Sequence, residues 1–205
     1  MERIKNLVRE TLSEAWYTLY RYTYEYLRSD GSWDTHQREA YDRGNGAAAL
    51  LYDPVRQKVV LTRQFRLPTY INGNENGFLT EVCAGLLDGD APEACMKREI
   101  LEETGYAVAS VKKVVEVYTS PGAVTEKLYL YQAQYNPEMK RESGGGVAAE
   151  SEDIQILEWS YAEVLEALEK GIIRDAKTLI LLQHAVIFGP LKDCLPNGNG
   201  CNSCS

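Results

Sequence analysis

Long apolar runs are missing from this 205-residue chain, and none approaches the stretch of about 18 apolar residues that crosses a membrane. The N-terminus, Met1-Glu2-Arg3-Ile4-Lys5-Asn6, lacks the apolar core of a signal peptide. The chain is therefore read as cytoplasmic, with no membrane partner. A basic excess is missing too: Lys and Arg number 22 against 30 Asp and Glu, for a net charge of −8 at pH 7. That speaks against nucleic acid as the main partner, because phosphate backbones need clustered cations. It leaves room for a phosphorylated small molecule held by a metal and a few local basic residues. There are no internal repeats. Histidine is scarce, and His36 and His184 read as solvated or packed side chains. Of five cysteines, Cys83 and Cys95 are expected to be buried thiols. Cys194, Cys201 and Cys204 cluster near a Gly- and Asn-rich tail. The Cys-x2-Cys pair there lacks the four ligands of a zinc site, and the tail reads as flexible.

What is present is an ordinary apolar fraction, 44%, enough for one domain with a small appendage. Residues 2–14 read as a short helix or an irregular lead-in. Residues 16–27 place Tyr20, Tyr22, Tyr24 and Tyr26 in alternation, which predicts a strand. Ser29-Asp30-Gly31-Ser32 is a turn signal, and residues 33–41 form the return strand. This hairpin is too small to stand alone. Strands are then expected at 47–52, 58–65, 78–84, 112–118, 127–134 and 154–160. Residues 69–77 and 138–151 are expected to be loops, the second one mobile. Helices are expected at 161–169 and 177–188. Mixed strands with helices on both sides give an α/β sandwich.

The densest chemistry lies in Arg98-Glu99-Ile100-Leu101-Glu102-Glu103-Thr104-Gly105. On a helix, Glu99, Glu102 and Glu103 stand at i, i+3 and i+4 and share one face. Like charges there repel, and a hard divalent cation relieves the repulsion, since Mg²⁺ binds through a few carboxylates plus substrate phosphates. A solvated acidic helix is the plainer alternative. Asp90 reads as the N-cap, with Pro92 in the first turn and Glu93 at the capping-box position. Gly105 sits where a left-handed C-terminal cap belongs.

A glycine-punctuated loop, then Arg-Glu-x-x-Glu-Glu-x-Gly, resembles the Nudix box, G-x5-E-x7-R-E-U-x-E-E-x-G-U with U bulky and apolar. From Arg98 onward the match is complete. Counted from Gly85, the box glutamate falls on Ala91 and the spacer is one residue short. In the family that glutamate braces the helix through the box arginine, a task open here to Asp90 or Glu93. Further segments resemble the nucleoside-diphosphate-sugar branch of Nudix hydrolases, over roughly residues 8–185. They are Tyr41–Gly46, Arg63-Gln64-Phe65-Arg66, Glu81–Asp88, Ser120–Glu126, Gly144–Val147 and Ile173–Thr178. Within the branch the resemblance is closest to bacterial members that cleave GDP-mannose.

The resemblance implies a Nudix α/β/α sandwich with a mixed sheet, preceded by a small N-terminal antiparallel β subdomain. It divides the chain into a β subdomain (1–43) that crosses to a second subunit of a homodimer, a hydrolase domain (44–190) and a tail (191–205). It implies Mg²⁺-dependent hydrolysis of a nucleoside diphosphate sugar, GDP-mannose giving GMP and mannose 1-phosphate, with Mn²⁺ as another usable cation. An ADP-ribose or ADP-sugar pyrophosphatase is the nearest alternative. A nucleotide-sugar-binding regulator without catalysis is the alternative of another class.

By the same resemblance the Ala84 backbone carbonyl, Glu99 and Glu103 are metal ligands, with Glu102 close by. An acidic residue of Ala149–Ile154, Glu150 or Glu152, completes the site as metal ligand or base. Gln37, Arg38 and Glu39 match a base-recognition segment. Trp16 matches an aromatic contributed by the partner, or is plain core. Lys177 matches a ligand contact, or is an exposed helix start. Arg66 at a strand end is able to reach a phosphate bidentately, or is a surface arginine. Glu126 is a candidate at the substrate, or a surface strand charge. Ala84, Gly85, Leu86 and Ser151 complete the substrate-binding set.

Overall fold

The computed structural model describes residues 2–147 and 153–194. Two sheets form. The first is a three-stranded antiparallel sheet, β1 (Ile4–Glu14), β2 (Thr18–Leu27) and β3 (Trp33–Asp42), in the order β1-β2-β3. Residues 4–14 are thus a strand and not a helix or lead-in, and the expected hairpin is an edge pair plus one. Nearly every β1 residue is exposed, so its backbone pairing with β2 holds it and no buried stripe marks it.

The second sheet has seven strands. Its spine runs β10 (Gln155–Ser160), β5 (Lys58–Phe65), β4 (Gly46–Asp53), β9 (Leu128–Gln134), β8 (Lys112–Val117). β6 (Phe78–Glu81) pairs with β5 and β7 (Cys83–Leu86) with β4. β4 and β9 run parallel and the other pairs antiparallel, so the sheet is mixed. Residues 78–84, expected as one strand, break at Val82, whose backbone N–H donates to Thr178 Oγ1 at 2.8 Å instead of to a neighbouring strand.

Period-two alternation sends the two faces of this sheet into separate cores. Ala48, Leu50, Val59, Leu61 and Leu130 face α3 (Tyr161–Glu169) and α4 (Ala176–Phe188). Ala47, Ala49, Leu51, Val60 and Ala133 face Met96 and Ile100 of the box helix. That is the expected α/β/α sandwich. In α4, Thr178, Leu181, Leu182, Ala185 and Val186 are buried at the spacing of one helical face. Ser160 and Glu163 form a capping box that starts α3. A short helix, α1 (Leu67–Ile71), leads into the segment expected as a loop.

The box helix is α2 (Pro92–Glu99) continued by a π-helical turn, Ile100–Thr104. Its N-cap is Ala91 without a side-chain cap, where Asp90 was expected. Pro92 has no N–H to satisfy, and Asp90 turns instead toward Arg98 Nε, 3.8 Å away. Gly105 ends the helix at φ +73°, as a left-handed cap. The glycine-rich segment then folds back onto that end. Gly145 N–H donates to Glu103 O at 2.9 Å and Gly146 N–H to Glu102 O at 3.2 Å. These bonds satisfy carbonyls the helix end leaves open, so residues 144–146 are tethered where mobility was expected. A Cβ on Gly144 would stand 2.7 Å from Thr104 C, which is why this contact takes glycine.

The front sheet is fastened to the core at one corner. Tyr41 N–H donates to Ala123 O at 2.8 Å and Thr125 N–H to Tyr41 O at 3.1 Å. No helix among the described residues is long and apolar enough to cross a membrane.

Candidate active site

The π-helical turn sets the acidic side of the site. An i→i+5 turn takes more residues than an α turn, so a three-residue step no longer returns to the starting face. Glu99 and Glu103 both line one cleft, whereas Glu102 does not. Glu102 accepts from Arg98 Nη1 at 3.0 Å, and the same nitrogen stands 2.9 Å from Glu99 Oε1. The three carboxylates expected on one face therefore divide into two and one. Glu103 is only 3% exposed, and its Oε2 accepts the Ala84 backbone N–H at 3.2 Å. Glu99 lies across Gly85, where a Cβ would meet its Cδ at 2.0 Å.

The cleft has a volume of about 810 Å³ and opens between the box helix, the β6–β7 break, the start of α4 and the front sheet. It gathers Trp16, Arg66, Ala84, Gly85, Leu86, Glu99, Glu103, Glu126 and Lys177 from six separate segments. Trp16 is 83% exposed and is not core. Lys177 is nearly buried and is not an exposed helix start. Glu126 is largely enclosed, with Arg43 Nε 3.5 Å from its Oε1, and is not a surface strand charge.

The basic side is built on Glu81, which is 2% exposed. Arg66 donates to it through Nε at 2.7 Å and Nη2 at 3.0 Å. Lys177 donates to Glu81 Oε2 and, at 2.9 Å, to Asp175 Oδ1. Asp175 caps α4, its Oδ2 accepting from Thr178 N at 3.0 Å and Oγ1 at 2.6 Å. Burial works against the charge on Glu81, but Lys177 and Arg66 outweigh it and hold the carboxyl at about 2. Burial likewise opposes the charges on Arg66 and Lys177, and Glu81 overcomes it in both, so both are pushed up.

Glu81, Asp175, Arg43 and Tyr17 were not singled out from sequence, yet all line the cleft. Asp175 carried a signal, an Asp-x-x-Thr helix start ahead of an apolar run. Glu81 carried none beyond a lone charge in an apolar strand. Gln37, Arg38 and Glu39 do not line the cleft of their own chain. They are exposed on β3, where Gln37 donates to Thr23 Oγ1 at 3.2 Å and Glu39 lies 3.6 Å from Arg21. Glu150, Ser151 and Glu152 lie outside the described residues, as do Cys201 and Cys204. Cys83 and Cys95 are buried thiols, as expected. Burial, followed by the nearby Glu103 carboxylate, pushes Cys83 well up.

Among the described residues, no three His, Cys, Asp or Glu side chains form a ready metal cage. Mg²⁺ does not need one, since it is held by one or two carboxylates together with substrate phosphates. Two carboxylates lining one cleft, one of them accommodated only because residue 85 has no side chain, fit that cation. Two cations lining the same cleft, Arg66 and Lys177, fit a diphosphate.

Residues 3–41 match the model of the GDP-mannose pyrophosphatase NudK N-terminal domain, and residues 42–183 match that of the NUDIX domain. A protein of Cronobacter sakazakii named GDP-mannose pyrophosphatase is 50% identical over 92% of this chain and 96% of its own. Proteins of that name from Pectobacterium atrosepticum and Shigella flexneri are 49% and 48% identical, over 88% and 89% of this chain and 93% and 95% of theirs.

Proposed function

The chain belongs to the Nudix family, and from that premise we propose that it is a Mg²⁺-dependent pyrophosphohydrolase that splits GDP-mannose into GMP and mannose 1-phosphate. The observation that carries this reading is one cleft lined by the carboxylates Glu99 and Glu103 and by the cations Arg66 and Lys177. The name shared by relatives at about half identity supports the choice of sugar nucleotide.

Glu99, Glu103 and the Ala84 carbonyl would hold Mg²⁺, or Mn²⁺ in its place. When bound, the cation neutralises diphosphate oxygens and lowers the pKa of a water. Arg66 and Lys177 bind the diphosphate and fix its direction. Glu126, held beside Arg43, faces the substrate from the front-sheet side. One of Glu150 and Glu152 supplies the remaining acidic group, as base or ligand. Little covalent work falls to the protein, so placement and charge carry the rate.

The working form is a cytoplasmic homodimer with a shared cleft. The N-terminal subdomain spans 1–43, and its front sheet leaves Gln37, Arg38 and Glu39 outside its own cleft, available to the base in the partner's. The hydrolase domain spans 44–190, and Leu191 and Cys194, expected in a flexible tail, pack against its core.

A regulator that only binds would have no use for two carboxylates converging beside a diphosphate. Initial rates with Mg²⁺ over GDP-mannose, GDP-glucose, ADP-ribose and ADP-glucose test the reading. The expected result is the highest kcat/KM for GDP-mannose. A preference for ADP-ribose would overturn the choice of substrate, and no turnover of any of the four would overturn the enzyme.

A further inference from the structure

A buried carboxylate repels an anionic ligand, so Glu81 is out of place in a cleft that receives a diphosphate. Its hydrogen bonds supply the reason. A guanidinium has five N–H donors and an ammonium three. Glu81 takes two from Arg66, through Nε at 2.7 Å and Nη2 at 3.0 Å. It takes one from Lys177, and Asp175 takes another at 2.9 Å. Among the described residues these bonds leave three donors of Arg66 and one of Lys177 over, and both residues line the cleft.

We infer that Glu81 is a positioning residue, which grips Arg66 and Lys177 from behind and aims their remaining donors at the diphosphate. The inference rests on the nucleotide-sugar reading of the cleft given above. Arg and Lys have long side chains with many rotamers, and ordering them at the moment of binding costs affinity. Here the ordering is done in advance. Its backing is rigid: Asp175 is tied to Thr178 N at 3.0 Å, and Thr178 Oγ1 receives the Val82 N–H at 2.8 Å. The break between β6 and β7 and the start of α4 thus lock together directly behind the two cations. Glu81 acts through Arg66 and Lys177 and touches no substrate itself.

Titration calorimetry with GDP-mannose in EDTA, which stops metal-dependent hydrolysis, tests this on the full chain. Glu81→Gln is expected to weaken binding about tenfold or more, and Glu81→Asp by less, because the shorter carboxylate keeps one of the grips. In an Arg66→Ala background the further loss from Glu81→Gln is expected to shrink to about threefold or less, the coupling that contact through Arg66 demands. Near-ultraviolet circular dichroism checks the fold of each variant. If Glu81→Gln does not fold, Glu81→Asp carries the test, with a partial loss expected. Wild-type affinity in a folded Glu81 variant, or an undiminished loss in the Arg66→Ala background, would overturn the inference alone. Failure of the wild-type chain to turn over GDP-mannose with Mg²⁺ would overturn the function proposed above and this inference with it.

Discussion

The Glu99 carboxylate occupies the space that a side chain on Gly85 would need: a Cβ there would meet Glu99 Cδ at 2.0 Å and Oε1 at 2.3 Å. The glycine that opens the box loop is therefore a spatial requirement of the carboxylate wall. Gly85→Ala should displace Glu99 without straining the backbone. A shift on the order of 1 Å at a reacting centre can cost roughly 10²-fold. We expect kcat to fall about tenfold or more, with a higher apparent requirement for Mg²⁺ and little change in Tm. Steady-state rates across a Mg²⁺ titration check this.

The π-helical turn separates Glu103 from Glu102, and the two should respond differently to loss of charge. Glu103→Gln should lower kcat by roughly 10³-fold, since it weakens a cation worth several kcal/mol to the transition state. Glu102→Gln removes an acceptor of Arg98 outside the cleft and should cost far less. Equal losses in parallel assays would mean that the helix turns in solution so as to bring both carboxylates to the site.

Acid should loosen the fold through Glu81. Its carboxyl is held at about 2 in the folded chain, below its ordinary value of 4.5. Between those values the unfolded chain binds more protons, so stability is fully present above pH 4.5 and drains away as pH falls toward 2. The difference corresponds to roughly 3 kcal/mol. Urea unfolding at stepped pH should show a steep decline in that window for the wild type. Glu81→Gln should be less stable at neutral pH and should lose less on acidification.

The front sheet predicts the assembly. Its β1 strand exposes Ile4, Leu7 and Val8, and Trp16 beside the cleft is 83% exposed. Light scattering at micromolar concentration should find a dimer. Trp16→Ala should mainly raise KM, by roughly tenfold, because stacking on a base is worth about 1–3 kcal/mol. An unchanged KM would leave Trp16 without a role at the base.

Much of this was readable from residues alone. The strand at 58–65, set off from 47–52 by Asp53-Pro54, and the helix at 161–169 both form where the sequence places them. Glu99, Glu103, Arg66 and Lys177 were all found from spacing or resemblance, and the fold gathers them in one cleft. The failures have physical causes. Residues 4–14 are exposed on both faces, so neither a period of two nor one of 3.6 marks them, and only pairing with β2 makes them a strand. The break at Val82 comes from Thr178, 96 residues away, a contact that no local pattern encodes. Glu102 shares Arg98 Nη1 with Glu99 yet stays off the cleft lining, at a π turn that α-helical spacing does not anticipate. Glu81 gave no signal because its partners, Arg66 and Lys177, meet it only after the sheet and α4 are assembled.

The most direct test of the whole account is phosphorus NMR of GDP-mannose incubated with the wild-type chain and Mg²⁺. The account predicts that the diphosphate signals give way to two monophosphate signals in equal amounts, GMP and mannose 1-phosphate, and that EDTA prevents the change. Persistence of the diphosphate, or formation of GDP and free mannose in place of the two monophosphates, would contradict it.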